Sequence, residues 1–171
     1  MLTIISGTHR PNSYSLKTAE AYSHLLDSRG IDNQILDLQE LPREFIWEMF
    51  SERSIEWKEL IEKYIVSADK IILISPEYNG SYPGIVKVFF DAMDPSLMKG
   101  KWLALTGIAS GRFGNQRGLD DLTMVLHHVK AHVIAQKVLI PAVYEHFDKD
   151  GSFVDAKLIE RVEDQLDHLF A

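Results

Sequence analysis

The chain has 171 residues, of which 46% are hydrophobic, so it can bury a full core, and we expect residues 1–171 to form a single domain. It contains no cysteine, which excludes disulfides and thiol chemistry, so any redox activity must come from a bound cofactor. Its net charge of −7 with scattered lysines and arginines disfavours nucleic-acid binding, and no stretch has membrane-spanning length or the pattern of a secretion signal. We therefore expect a soluble, cytoplasmic protein that engages neither nucleic acid nor membranes.

Apolar runs of strand length alternate along the chain with segments of helical spacing. The runs lie at 2–6, 34–38, 70–75, 102–107 and 133–140. They are rich in Ile, Val and Leu, which is typical of strands buried on both faces. Ser13 and Asp155 are candidate N-caps of the first and last helices. The alternation predicts βαβ crossovers, and therefore a three-layer α/β fold in which helices cover both faces of a five-stranded parallel sheet.

The turn after the first strand carries an unusual set of polar groups. It reads SGTHRPNSYS, residues 6–15. Ligands of an open parallel sheet bind beyond the carboxyl ends of its strands, and hydroxyls, Arg10 and a helix N-terminus together suit a phosphate. A P-loop or a dinucleotide fingerprint would need further glycines that this turn lacks, which leaves a mononucleotide of the flavodoxin type. The alternative is that Ser13 only caps the helix and that Arg10 lies on the surface.

Two further turns follow strand ends and have irregular sequences. The second reads SPEYNGSYPG, residues 75–84, and its irregular backbone leaves N–H and C=O groups that suit a flat heterocycle. The third reads ASGRFGNQRG, residues 109–118, where glycines permit close approach of the backbone to a ligand. The alternatives are a solvated loop anchored by Tyr78 and Tyr82, and a flexible loop before a helix.

The least regular segment is LPREFIWEMFSERS, residues 41–54, after the second strand. One interpretation is a surface loop with a few aromatic residues packed inward. The other is a flap beside a ligand, which would use Phe45, Trp47 and Phe50.

The seven histidines do not form a metal-binding pattern. His128 and His132 are four residues apart, but we expect the fourth helix to end between them. No acidic residue lies at ligand spacing, so we predict no metal site.

The three turns together resemble the NAD(P)H-dependent FMN reductases of flavodoxin-like fold. The motifs of that family are G-[ST]-x-R-x-x-S, P-E-Y-N-x-S-x-P-G-x-x-K and G-R-x-G-G-x-R. This chain has GTHRPNS, PEYNGSYPGIVK and GRFGNQR in the same order and at the same strand ends. The resemblance covers roughly residues 2–141, and it implies FMN as the cofactor and a doubly wound sheet of strand order 2-1-3-4-5.

The resemblance also implies roles for individual residues. Those expected to hold the FMN phosphate are Thr8, Arg10, Ser13 and Ser15. Those expected to line the isoalloxazine are Pro76, Glu77, Tyr78, Asn79 and Gly80. Those expected to contact its pyrimidine edge are Ser110, Gly111, Arg112 and Gly114. Lys87 and Asp91 match the helix that follows the second motif.

The implied function is an NAD(P)H-dependent FMN reductase. NADPH or NADH would transfer a hydride to bound FMN, which would reduce a small-molecule acceptor such as a quinone, free flavin or azo compound, with no catalytic side chain. The rival interpretations are a flavodoxin-like electron carrier and a non-enzymatic flavin-binding sensor. The resemblance and the aromatic residues Tyr82, Phe89 and Phe90, expected near the flavin, predict a homodimer or tetramer.

The chain departs from the family pattern at three positions. Val88 replaces a usual Asn, Asn115 replaces the second loop glycine, and Lys130 replaces a helix-ending glycine. Only Asn115 bears on the site, because its side chain is expected to narrow the pocket or to alter how nicotinamide stacks.

Overall fold

The computed structural model describes residues 1–171 and has a parallel sheet between two layers of helices. The strands are β1 (Leu2–Ser6), β2 (Asn33–Asp37), β3 (Lys70–Pro76), β4 (Trp102–Ile108), β5 (His132–Val133) and β6 (Val138–Ile140). The helices are α1 (Tyr14–Ser28), α2 (Ile55–Ile61), α3 (Gly84–Ala92), α4 (Gln116–His128) and α5 (Ala156–Phe170). The strand order is β2-β1-β3-β4-β5, with β6 also paired to β4. The predicted doubly wound fold and its strand order are confirmed.

The prediction of one continuous fifth strand at 133–140 is wrong, because β5 and β6 are separate. Leu103 pairs with Val133 and Thr106 pairs with Val138, so the outer strand carries two more residues than β4 between these pairs. The surplus residues bulge out of the ladder, and the Gln165 side chain bonds the carbonyl oxygen of Leu105 across the gap, at 3.0 Å. The uniformly apolar sequence gives no sign of this interruption.

Adjacent residues of each central strand face two different cores, as strands buried on both faces require. Ile5 packs with α2, α3 and α4 on one face, and Ile4 packs with α1 and α5 on the other. Phe89 and Phe90 belong to the first core, with 0% and 6% of their surface exposed. The expectation that these two aromatics supply a subunit interface is therefore wrong, because the side of α3 that carries them faces the sheet.

Both predicted N-caps are confirmed. Ser13 Oγ accepts a hydrogen bond from the Leu16 N–H at 3.1 Å, and Asp155 accepts one from Lys157 at 2.9 Å. Lys130, which follows the C-terminal end of α4, adopts a left-handed conformation with φ 64°. This is the conformation that favours glycine after a helix, and it explains why a glycine is common at that position.

Helix α4 ends at His128, so His132 lies outside it, as expected. No group of three histidines or acidic residues comes close enough together to hold a metal ion. None of the helices combines the length and the apolar character that crossing a membrane requires.

Candidate functional site

A cavity of about 730 Å³ lies at the carboxyl edge of the sheet, within the size range of small-molecule sites. It brings together most of the residues predicted from the sequence. Those that line it are Thr8, Arg10, Ser13, Ser15, Pro76, Glu77, Tyr78, Asn79 and Ser110. Four other predicted residues, Gly80, Gly111, Arg112 and Gly114, lie outside its lining. The three turns therefore converge on one site, as the predicted topology requires.

The first turn presents an array of free hydrogen-bond donors to the cavity. The backbone N–H groups of Asn12, Ser13, Tyr14 and Ser15 have no partner within the chain. The Ser15 side chain is 1% exposed, and its Oγ atom also has no partner. Arg10 is exposed, and its guanidinium group forms no hydrogen bond or ion pair. Free N–H groups at a helix N-terminus, a buried unpaired hydroxyl and an unpaired cation suit an anion such as phosphate.

The second turn is a tight two-residue hairpin. Tyr78 and Ser81 exchange two backbone hydrogen bonds of 2.9 and 3.1 Å, while Asn79 and Gly80 have φ angles of 53° and 80°. Two consecutive positive φ angles define a type I′ turn, for which Asn-Gly is the preferred sequence. The N–H groups of Asn79 and Gly80 remain free. The Tyr78 hydroxyl bonds Thr8 Oγ1 at 2.8 Å, which links this turn to the first one.

The third turn offers backbone donors, whereas its middle glycine, Gly114, has a packing role. The N–H groups of Ser110, Gly111 and Arg112 have no partner within the chain. Gly114 has φ 55°, and a Cβ atom there would lie 2.8 Å from the backbone nitrogen of Ile140. A side chain at Gly114 would therefore collide with β6, so this glycine is required by packing whether or not a ligand is bound.

Asn115 lies beneath the third turn rather than in the cavity, so the expectation that it narrows the pocket is wrong. Its side chain is buried, with 1% of its surface exposed. Its Nδ2 atom donates to the carbonyl oxygens of Ser75 at 3.1 Å and Pro76 at 3.0 Å. Its φ of 64° is the left-handed conformation that glycine also adopts, which explains how asparagine fits a position usually held by glycine.

The segment after β6 forms a wall of the cavity that the sequence did not reveal. Val143 and Tyr144 line the cavity, and Tyr144 is 52% exposed. Backbone bonds hold the segment to the third turn, from Ala142 to Gly111 at 3.1 Å and from Val143 to Ala109 at 3.0 Å. The recognised motifs end before this segment, and the only available signal was a tyrosine shortly after the last strand.

The segment 41–54 is not a flap over the cavity, because none of its residues lines it. Phe45 is buried and stacks on Trp57 with ring centroids 5.3 Å apart. Trp47 and Phe50 are 81% and 96% exposed and point into solvent. The prediction of a surface loop fits, but its expectation of a few aromatic residues packed inward holds only for Phe45.

Three ionisable groups in and after the second turn, Lys87, Asp91 and Tyr82, lie outside the cavity. Lys87 Nζ contacts the Asp91 carboxylate at 2.7 Å on α3, and this hydrogen bond raises the pKa of Lys87. Both side chains are about half exposed, so the pair stabilises α3 only weakly. Partial burial raises the pKa of Tyr82 and keeps its hydroxyl protonated.

The sheet order and the cavity at its carboxyl edge define a flavodoxin-like α/β protein with a nucleotide-sized site. Residues 1–145 match the NADPH-dependent FMN reductase family. The match extends over most of the chain and includes all three turns. The chain belongs to this family.

Individual relatives agree with this assignment. An NAD(P)H-dependent FMN reductase of Pseudomonas aeruginosa is 28% identical over 171 residues, which cover 96% of this chain and 90% of that protein. An FMN-dependent NADPH-azoreductase of Staphylococcus aureus is 32% identical over 155 residues, 88% of this chain and 81% of that protein. The solved structure of FerB, a flavoenzyme NAD(P)H:(acceptor) oxidoreductase from Paracoccus denitrificans, superposes with a TM-score of 0.81 at 26% identity, covering 99% of this chain and 96% of FerB. The predicted reductase function and FMN cofactor are thereby confirmed at the level of the family.

Proposed function

We propose that this protein is a single-domain, cytoplasmic reductase that binds FMN in the cavity and passes electrons from NADPH or NADH to a small-molecule acceptor. Bound FMN supplies the chemistry, because its ring accepts a hydride and gives electrons up again. The observation that carries the proposal is the set of unpartnered donors at the N-terminus of α1. The protein's own part is to bind and orient the cofactor.

The first turn suits the phosphate of FMN. A buried hydroxyl without a partner is costly, so the unpaired Oγ of Ser15 favours a ligand that accepts its hydrogen bond. The N–H groups of Ser13, Tyr14 and Ser15 add donors at the positive end of the helix dipole. Arg10 is unpaired and adds a charge-assisted bond to the same anion.

The second and third turns suit the flavin ring. Asn79 on one turn and Ser110 on the other both line the cavity, and their free N–H groups match a heterocycle that presents acceptor atoms along its edges. Pro76 and Tyr78 line the cavity between the two turns and offer flat or apolar contact. Binding through backbone donors leaves no need for a side chain that acts as acid or base.

The acceptor is proposed to be a quinone, free flavin or azo compound. Relatives are named FMN reductase and azoreductase, which favours small molecules over a protein partner. The cavity opens directly to solvent on the side of Tyr78 and Tyr144, which are both exposed.

We also propose a homodimer or tetramer, in which the exposed aromatics Trp47 and Phe50 lie at a subunit interface. Aromatic side chains such as these, 81% and 96% exposed, are enriched in subunit interfaces. Light scattering at micromolar concentration is expected to give at least the dimer mass, and Phe50→Ser is expected to reduce it. Val154→Ser is the matched control, because Val154 is also exposed but lies just before α5. A monomeric mass of the wild-type protein would contradict the proposal.

The function is tested by loading the purified protein with FMN and following the oxidation of NADPH and NADH with a quinone, free FMN or an azo dye. Steady turnover with any of these acceptors supports the reductase. Flavin that binds but is not reduced by NADPH or NADH would instead support an electron carrier or a sensor. Failure to bind FMN would overturn the proposal altogether.

Arg10→Ala separates cofactor binding from turnover. Losing a charge-assisted hydrogen bond to phosphate should cost about 1.5–3 kcal/mol of binding, so FMN affinity should fall roughly ten- to a hundredfold. Turnover at saturating FMN should recover, because the phosphate lies far from the reacting ring. Arg43→Ala is the control, since Arg43 is an exposed arginine outside the cavity. Equal FMN affinity of the Arg10 variant and wild type, by fluorescence titration, would mean that the first turn only caps α1.

A further inference from the structure

The N-terminal turn of α4 packs directly on the second turn of the site. A Cβ atom at Gly118 would lie 2.6 Å from the backbone nitrogen of Tyr82, so the two backbones are in contact. A Cβ atom at Gly80 would lie 2.9 Å from the guanidinium group of Arg117. Ser81 Oγ also donates to the Asp121 carboxylate at 2.9 Å. The third turn leads into α4, so these contacts join the second and third turns into one unit.

Asn115 lies beside this contact, because a Cβ atom at Gly118 would also meet its Oδ1 atom. The two N–H groups on its Nδ2 atom lie within hydrogen-bonding distance of three oxygens on β3, the carbonyl oxygens of Ser75 and Pro76 and the hydroxyl of Ser75, at 3.0–3.1 Å. The ladder between β1 and β3 ends at Ile74. Pro76 therefore lies beyond β1, and the buried amide of Asn115 bonds the Pro76 carbonyl oxygen on the side where β1 no longer offers a partner.

The hydrogen bonds made by Asn115 hold the backbone at the start of the second turn. Pro76 lines the cavity, and the next N–H, that of Glu77, donates to the Ile108 carbonyl at 2.9 Å. The peptide between Pro76 and Glu77 is thus fixed on both sides, through its oxygen by Asn115 and through its nitrogen by β4. The peptides of the hairpin, which carry its free N–H groups, follow this fixed peptide directly.

We propose that Asn115 is a positioning residue for the flavin, because its amide fixes the Pro76–Glu77 peptide and so sets the direction of the hairpin donors toward the ring. The inference rests on the proposed function, since it concerns FMN in the same cavity. Asn115 does not line the cavity, so it acts through the backbone of the second turn rather than by contact. Glycine at this position would keep the left-handed backbone but would remove the hydrogen bonds that the amide makes.

The test compares two variants with a matched control. Asn115→Gly keeps the positive φ and removes the amide, and Asn115→Asp keeps the side-chain size but replaces the donor with an acceptor. Lys130→Gly is the control, because Lys130 has the same φ of 64° at the opposite end of α4 and is distant from the cavity. For each protein, the FMN dissociation constant, the midpoint potential and visible spectrum of bound FMN, and the melting temperature without FMN are measured.

Both Asn115 variants are expected to bind FMN about five- to thirtyfold more weakly, the equivalent of about one to two net hydrogen bonds. Their midpoint potential and flavin spectrum should also differ from those of wild type, whereas the Lys130 control should match wild type in all three flavin measurements. A lower melting temperature with an unchanged flavin affinity, potential and spectrum would overturn the inference and leave Asn115 a purely structural residue. Absence of FMN binding by the wild-type protein would overturn the proposed function instead, so the two failures are distinguishable.

Discussion

Replacing Gln165 with leucine removes the side chain that bridges the gap between β5 and β6. Gln165 is fully buried, and its Nε2 atom donates to the carbonyl oxygens of Leu105 at 3.0 Å and Gln136 at 2.9 Å. Its Oε1 atom accepts from the Tyr22 hydroxyl at 2.8 Å. Burial raises the pKa of Tyr22, so this hydroxyl stays protonated and able to donate. Leucine has a similar volume and can make none of these bonds.

The expected cost follows from the groups left without partners. Two carbonyl groups lose a donor, at about 1–3 kcal/mol each if they stay buried. The Tyr22 hydroxyl keeps a bond of 2.7 Å to Thr106 and therefore loses less. Added apolar contact by leucine offsets part of this cost, so we expect the free energy of unfolding to fall by about 2–4 kcal/mol.

Equilibrium unfolding in urea measures this change. Gln136→Ala is the control, because it removes a partly exposed side chain but keeps the carbonyl that Gln165 uses, and its effect should stay within about 0.5 kcal/mol. Tyr22→Phe should cost about 1 kcal/mol. Combined with Gln165→Leu it should cost less than the sum, because both changes remove the same bond. A loss below about 1 kcal/mol for Gln165→Leu would refute the claim that this side chain stabilises the interrupted edge.

Three further outcomes are expected. Ser13→Ala should lower the unfolding free energy of the FMN-free protein by about 1 kcal/mol, because it removes an N-cap. Ser15→Ala should leave the unfolding free energy unchanged or higher and should weaken FMN binding. Equal effects of the two variants on stability would contradict the assignment of the unpaired Ser15 hydroxyl to a ligand. Tyr144→Ala should weaken FMN binding about two- to tenfold, through lost packing of about 0.5–1.5 kcal/mol, without altering the melting temperature of the FMN-free protein. Titration of the variant and the wild type with FMN measures this change. The hydrogen bond from the Ser96 N–H lowers the pKa of Asp94. This bond therefore stabilises the fold fully above the ordinary Asp94 pKa of 3.8, and its contribution is lost as the pH falls through the lower folded-state pKa. Asp94→Asn should flatten the acid side of the stability–pH curve, and an unchanged curve would argue against that bond.

The sheet and its helices were predictable because their signals are local. A continuous apolar run, as on β1, indicates a strand that is buried on both faces, and periodic apolar residues, as on α5, indicate a helix that is buried on one face. The caps Ser13 and Asp155 could be predicted because the free N–H groups at a helix N-terminus need acceptors. The three polar turns could be recognised because parallel strands place all their carboxyl ends at one edge. The sequence by itself therefore determined the fold, the edge at which the site lies and most of its lining.

Only the tertiary structure decided which side chains face the cavity and which support it from below. Asn115 lies beneath the third turn and forms hydrogen bonds to β3. Gly114 packs against the backbone of β6. Tyr144 lines the cavity from a segment that contains none of the three motifs. The split between β5 and β6 likewise depends on Gln165, which is distant in sequence. The physical reason is common to these cases: each is set by a contact between residues far apart in the chain, and local patterns of hydrophobicity carry no information about such partners.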